Sequence, residues 1–261
     1  MSLPGCIERG EGDLAVWLLH GIGGGKEIWL ETMGAIAAAG VRAIACDLPG
    51  YGASPQITPY TMQGLARALE GLLDATGARR NVLVGHSMGG MIAQELIAYA
   101  PAKVHALVLC ATSAAFGQPD GPWQQRFLQG RLAALDAGLG MAGVAARLVP
   151  AMLAPDARPQ ALDAALSVMS GVPEATYRAA LAAITRFDRR AQLARIAVPA
   201  LCIAGERDTS APPAVMQRMA ERIKHGEFVC IAEAGHLLNL EQPAAFAQAL
   251  TSFLRRFVTA R

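Results

Sequence analysis

Residues 81–96 read NVLVGHSMGGMIAQEL. Three β-forming residues, Val82, Leu83 and Val84, run straight into Gly85-His86-Ser87-Met88-Gly89, and a helical pattern begins at once. A strand that turns directly into a helix forces the residue at the apex into an unfavourable backbone angle and brings the two backbones close. Positions two before and two after the apex must then be small. Gly85 and Gly89 meet that demand, and Ser87 stands at the apex. The helix starting at Met88 aims its first N–H groups at the place where the hydroxyl would react. G-x-S-x-G alone is a weak pattern. The strand before it and the helix after it make Ser87 a candidate nucleophile.

A serine at its ordinary pKa needs a base. His236, in AEAGHLLNLEQP just past the last apolar run, is the candidate. A catalytic histidine needs a carboxylate to hold its tautomer and stabilise the imidazolium. Asp208, in GERDTSAPP past the run ALCIAG, fits that role, with Glu206 two residues earlier as its rival. Reactive groups in open α/β sheets gather beyond the carboxyl ends of strands, and Ser87, Asp208 and His236 all lie there. The order Ser, Asp, His is the order that accompanies this turn. Residues 20–25, HGIGGG, follow the strand-like WLLH. Glycines in such a loop let backbone N–H groups approach a developing oxyanion, and the N–H groups of Ile22 and Met88 are the expected donors. The loop fits neither the Walker lysine pattern nor a full G-x-G-x-x-G with its acidic residue, so nucleotide binding is not expected.

The rest of the chain sets the frame. Apolar runs at 14–19, 41–46, 82–84, 106–110, 200–203 and 228–231 read as parallel strands buried on both faces. Alanine-rich helical patterns at 29–39, 61–76, 89–99, 214–223 and 244–257 separate them, which gives an α/β fold. Residues 113–188 break the rhythm. They read as short helices cut by GQPDGPW, LVPAML, APDARPQ and SGVPEA, a helical cap inserted in one core formed by 1–112 and 189–261. The bland alternative is a set of surface helices with no part in the chemistry. The chain has 261 residues, 17% of them charged, with a net charge of +2, too weak a field to argue for nucleic acid or a membrane surface. The segment MSLPGCIERGEGD has no apolar core of a signal peptide, and no apolar run is long enough to span a bilayer. The expectation is a cytoplasmic protein, a monomer or small homo-oligomer, acting on a small molecule. An odd five cysteines suit a reducing compartment, and Cys46, Cys110, Cys202 and Cys230 read as small buried hydrophobes. No cysteine spacing suggests a metal site, and neither metal nor cofactor is expected.

Together HGIGG, DLPGYGAS at 47–54, GHSMGG, IAGERD and AGHLLNLEQP resemble the α/β-hydrolase superfamily over roughly 1–112 and 197–258. The resemblance implies an eight-stranded, mostly parallel sheet with a helical cap after the sixth strand. Within the superfamily the chain resembles 3-oxoadipate enol-lactonases, through GHSMGG, Trp123 with Arg126 early in the cap, residues 177–183, and IAGERDTSAPP. That resemblance implies a cofactor-independent ester or lactone hydrolase. Similar elbows and tails occur in C–C hydrolases of ring-cleavage products and in small carboxylesterases, and a non-enzymatic binder on the same fold is a third reading. Dehalogenases and epoxide hydrolases place Asp where Ser87 stands. Trp123 either walls the substrate pocket or packs the cap. Arg126 either meets a substrate carboxylate or lies exposed, and Lys26 poses the same choice. His86 either touches a substrate or faces the sheet packing, and His20 either takes a proton or ties loop backbone together. His105 and His225 are read as exposed, Asp47 as ordering its loop, and the cap methionines as packing.

Overall fold

A computed structural model describes residues 5–118 and 120–258. The outermost ends of the expected core, 1–4 and 259–261, and Pro119 in the GQPDGPW stretch lie outside them. Seven strands form one sheet: β1 (Cys6–Arg9), β2 (Leu14–Leu19), β3 (Arg42–Cys46), β4 (Arg80–His86), β5 (Ala106–Cys110), β6 (Ala200–Gly205) and β7 (Gly226–Ile231). Their order is β1-β3-β2-β4-β5-β6-β7, all parallel except β1, which runs antiparallel to β3. The helices are α1 (Leu30–Ala38), α2 (Met62–Thr76), α3 (Met88–Tyr99), α4 (Pro122–Asp136), α5 (Gly140–Met152), α6 (Pro159–Ser170), α7 (Glu174–Ile184), α8 (Pro213–Arg222), α9 (Leu238–Glu241) and α10 (Pro243–Val258).

The mostly parallel α/β sheet is as expected, but the described residues hold seven strands rather than eight. The helical segment therefore follows the fifth strand in chain order, not the sixth. β1 carries no continuous apolar run and is half exposed at the sheet edge, which is why the apolar pattern passes over it. The antiparallel register sets Cys6 directly opposite Cys46, and the two form a disulfide. Cys46 is thus not a free buried hydrophobe, and the cysteine count gives no argument for a reducing compartment. Cys230 is exposed rather than buried, because β7 closes the opposite edge and is only partly covered. Cys110 and Cys202, on interior strands, are buried as read.

Burial follows the pattern of a doubly covered sheet. All six residues of β2, LAVWLL, are buried, and the Trp17 indole donates to Asn81 Oδ1 at 3.0 Å, so a large buried ring keeps its polar atom satisfied. α2 buries Met62, Leu65, Ala66, Leu69 and Leu73 at helical spacing. Thr61 caps its start by accepting from Gly64 N–H, and Gly77, at φ 65°, ends it. α3, the helix after Ser87, is buried along nearly its whole length.

Four helices, α4 to α7, lie between β5 and β6. Their stem is a two-stranded bridge: Ala115 pairs with Asp188, Phe116 N–H donates to Phe187 O at 3.0 Å, and Arg189 N–H to Ala114 O at 2.7 Å. The guanidinium of Arg189 grips the buried Glu95 of α3. Among the described residues no helix is long and apolar enough to cross a membrane.

Candidate active site

The strand order reverses between β2 and β4: the chain moves outward to β3 on one side and to β5, β6 and β7 on the other. A crevice opens beyond the carboxyl ends of strands at such a point. β2 delivers His20-Gly21-Ile22 there, and β4 delivers His86-Ser87.

Ser87 has φ 52° and ψ −115°, a strained angle for a residue with a side chain. The turn holds it there. Ser87 N–H donates to Cys110 O at 2.9 Å, and Ser87 O accepts from Thr112 Oγ1 at 2.6 Å. A Cβ on Gly85 would lie 2.5 Å from Gly89 and Gly90 backbone, and one on Gly89 would strike Leu19 O. The glycines are a steric requirement.

His236 and Asp208 meet: His236 Nδ1 lies 2.8 Å from Asp208 Oδ2, both side chains buried. A carboxylate only accepts, so Nδ1 carries the proton and Nε2 keeps its lone pair. Asp208 Oδ1 accepts from the N–H groups of Ser210 at 2.7 Å and Ala211 at 3.0 Å. Burial pushes this carboxyl upward, but the charge and hydrogen bond of His236 and the two backbone donors outweigh it, and it titrates below the ordinary aspartate value. Glu206 is exposed and accepts from Glu233 N–H at 3.0 Å instead. Ser87 and His236 together line two cavities.

The Gly-rich loop is tied from three sides. His20 Nε2 accepts from Leu48 N–H at 3.0 Å, so Nδ1 holds the proton and donates to Gly21 O at 2.8 Å. Burial keeps His20 neutral, its pKa lowered to about 4. Tyr51 Oη donates to Ile22 O at 2.9 Å. Asp47 accepts from Lys26 N–H at 3.1 Å and ion-pairs with the Lys26 ammonium. Asp47 thus orders its loop and Lys26 is occupied by it. Among the described residues, no protein group accepts from the N–H of Ile22 or of Met88. Gly21 sits so close that a Cβ there would come within 3.1 Å of Ser87 Cβ.

Two more residues support the histidine: His86, weighed in the sequence as packing or substrate contact, and Glu241, not singled out there. His86 donates from Nε2 to His236 O at 2.8 Å, with the two rings 5.0 Å apart. Burial, and then the neighbouring charge of His236, lower the His86 pKa to about 3, so it stays neutral. Its place beside the nucleophile at a strand end was the available signal. The Glu241 carboxylate accepts from Ala154 N–H at 2.7 Å, and from Gly235 and Leu237 N–H at 3.0 Å each. Burial pushes its pKa up, against those three donors. A lone acid five residues after the candidate base was its signal.

Trp123 and Arg126 are both exposed, Trp123 at 53%. Trp123 does line the larger cavity and packs with Phe116 and Phe127; Arg126 does not reach it. His105 and His225 are exposed as read. Among the described residues no group of three or more His, Cys, Asp or Glu side chains is arranged to hold a metal ion.

A parallel sheet reversing at a glycine-flanked serine, with a histidine–aspartate pair beyond its later strands, is the plan of an alpha/beta hydrolase. The chain belongs to the alpha/beta hydrolase family, whose sequence model matches residues 18–249. A Variovorax paradoxus protein provisionally named a carbamate hydrolase is 34% identical over 248 residues, 93% of this chain and 92% of its own. Two solved structures superpose with a TM-score of 0.85. One is a thermophilic esterase from Thermogutta terrifontis, 29% identical over 96% of this chain and 92% of that one. The other is the enol-lactonase from Burkholderia xenovorans LB400, 27% identical over 96% and 95%. The chain is an α/β-fold hydrolase of enol-lactonase-like resemblance, which sets the non-enzymatic reading aside.

Proposed function

We propose that this hydrolase cleaves a carboxylic ester or lactone through Ser87, His236 and Asp208, and that 3-oxoadipate enol-lactone is its first candidate substrate. The 2.8 Å contact between His236 Nδ1 and Asp208 Oδ2, in a histidine that shares its cavities with Ser87, carries this reading. His236 Nε2 takes the Ser87 proton as Oγ bonds to the acyl carbon. The carbonyl oxygen becomes an oxyanion held by the N–H groups of Ile22 and Met88. As the tetrahedral intermediate collapses, His236 protonates the leaving oxygen, and Asp208 stabilises the imidazolium in between. His236 then takes a proton from water as the water attacks the acyl carbon, and returns that proton to Ser87 Oγ as the acyl C–O bond breaks and the acid leaves. In an enol lactone the leaving enol stays tethered and ketonises. His86, kept neutral beside His236, adds no positive charge against the imidazolium.

In this reading residues 113–188 form the cap over a core of 1–112 and 189–261. Trp123 contributes a wall, as its place at the larger cavity supports. The test is hydrolysis of 3-oxoadipate enol-lactone beside a short neutral p-nitrophenyl ester, with Ser87→Ala as control and an active-site serine probe as a label. Turnover and labelling that vanish in Ser87→Ala support the proposal. An unlabelled wild type defeats it. Cleavage of a vinylogous diketone in place of both esters would assign the C–C reaction instead.

A further inference from the structure

Ser87 and His236 stand where two unlike cavities meet. The smaller, about 40 Å³, is walled by Ile28, Val149, Met152, Ala165, Met169 and Leu240 and offers a substrate almost nothing polar beyond the reacting groups. The larger, about 260 Å³, runs under α4 and α7 between Phe116, Trp123, Phe127 and Leu181. Arg131, on α4, is the one arginine or lysine lining it among the described residues, and no acidic side chain lines it.

The surroundings of Arg131 set it apart from its neighbours. Arg158 pairs with Glu31, and Arg178 with Asp136 and Glu174. Arg126, Arg147 and Arg186 are exposed, where water meets their charge. Arg131 is half-buried, and no carboxylate among the described residues lies within ion-pair distance of it. Its Cζ sits 4.9 Å from the centroid of the Phe127 ring, a contact that recovers only part of what a guanidinium loses on leaving water. The buried Tyr177 hydroxyl lies beside Arg131, close enough for the guanidinium to act on it by charge and by hydrogen bond. Burial pushes its pKa up, and the nearby charge of Arg131 works against that push. A half-buried cation without an acid, beside a buried hydroxyl and facing the reacting serine across one cavity, is built to receive an anion.

We propose that Arg131 is the specificity-determining residue of this hydrolase. On this assignment it binds a carboxylate on the half of the ester or lactone that enters the larger cavity, while the smaller cavity admits only a short uncharged group. The preferred substrates are therefore monoanionic esters or lactones. Arg131, not Arg126, is the cation that reads them. Guanidinium suits a carboxylate through two parallel N–H donors, and a charge-assisted pair of this kind is worth about a 10- to 100-fold change in binding. The inference rests on Ser87 and His236 being the reacting pair.

The experiment compares monomethyl adipate with dimethyl adipate. Arg131→Gln is expected to lower the ratio of kcat/KM for the monoanion to that for the neutral diester by about 10- to 100-fold, chiefly through KM. Arg131→Lys should keep part of the ratio, and Arg126→Gln should leave it unchanged. With the wild type, added salt should raise KM for the monoanion alone, a readout that needs no variant to fold. A ratio that ignores Arg131 overturns the proposal. Calorimetric binding of monomethyl adipate to Ser87→Ala, with and without Arg131→Gln, separates the two claims. If the wild type hydrolyses neither ester but binding still falls with Arg131→Gln, the hydrolase chemistry fails and the anion site stands. If the esters are hydrolysed and binding does not depend on Arg131, the reverse holds.

Discussion

The loops beyond the sheet and the helices between β5 and β6 hold their polar residues by different means. In the loops, backbone does the holding. Asp208 takes two N–H donors besides His236, Glu241 takes three, and His20 spends both ring nitrogens on backbone. In the helical segment the side chains facing the larger cavity lean on one another. Phe116, Trp123 and Phe127 cluster with centroids 4.8–5.6 Å apart, and Arg131 rests on Phe127. In the proposed mechanism, groups that must stay within a fraction of an ångström of reacting atoms sit on scaffold that cannot shift without orphaning buried N–H groups. Groups that choose a substrate in the proposed reading sit on aromatic surface that can repack at small cost. The same division is expected in the effects of mutation.

Ser87→Ala or His236→Ala should produce the largest loss, about 10⁶-fold in kcat, with the fold retained and, for Ser87→Ala, the melting temperature nearly unchanged. A residual rate within a few-fold of wild type would remove the loop side of the comparison. Asp208→Asn should cost about 10⁴-fold by presenting the wrong tautomer, while Glu206→Gln should be near wild type. The same pair sharpens the point through pH. The folded Asp208 titrates below the ordinary aspartate value of 3.8, so its ionisation favours folding fully above that value and loses its effect as pH falls through the lower folded one. The gap in urea midpoint between wild type and Asp208→Asn should therefore close on acidification. A gap that widened would refute the assigned direction.

Glu241→Gln is the test that mixes the two regions, since its acceptors hold both the histidine loop and Ala154. An amide cannot accept at both ends. A loss of about 1–3 kcal/mol, read as a melting temperature lower by about 2–10 °C, should accompany a fall in kcat of about 10- to 100-fold. A pure stability loss with unchanged kcat would make Glu241 structural only. The smallest effect belongs to Trp123→Ala, about 2- to 3-fold in kcat/KM, as for an exposed side chain whose neighbours remain packed. A loss of several orders of magnitude there would break the comparison from the other side.

What the sequence discloses follows the same line. The six parallel strands and the positions of Ser87, Asp208 and His236 are legible because apolar runs mark strands and a reactive residue just past each run marks its carboxyl end. β1 and its disulfide are not, because pairing register is a property of two strands together and CIER has no apolar signature. Arg131 was hidden by geometry. It lies five residues after Arg126 on α4, which places the two about 140° apart around the helix, and only the packed position of α4 says which of them turns inward. His86 and Glu241 escaped for a related reason: their partners are main-chain atoms, which look alike at every position of a sequence.

One tie between the two regions bears on how such enzymes can be recombined. His236 N–H donates to Met152 O at 2.7 Å, and Arg158 Nε to Leu240 O at 2.6 Å. The end of α5 and the start of α6 are thus stitched to the histidine loop, while α4 is pinned through Gln124 to Phe116 and Thr185 within the segment's own stem. A graft from a relative that stops short of Met152 exchanges the aromatic wall and its arginine and leaves the stitches intact. One that runs through to α7 replaces the acceptor beneath His236. Any graft boundary in this chain has to keep the hydrogen bond from His236 to residue 152.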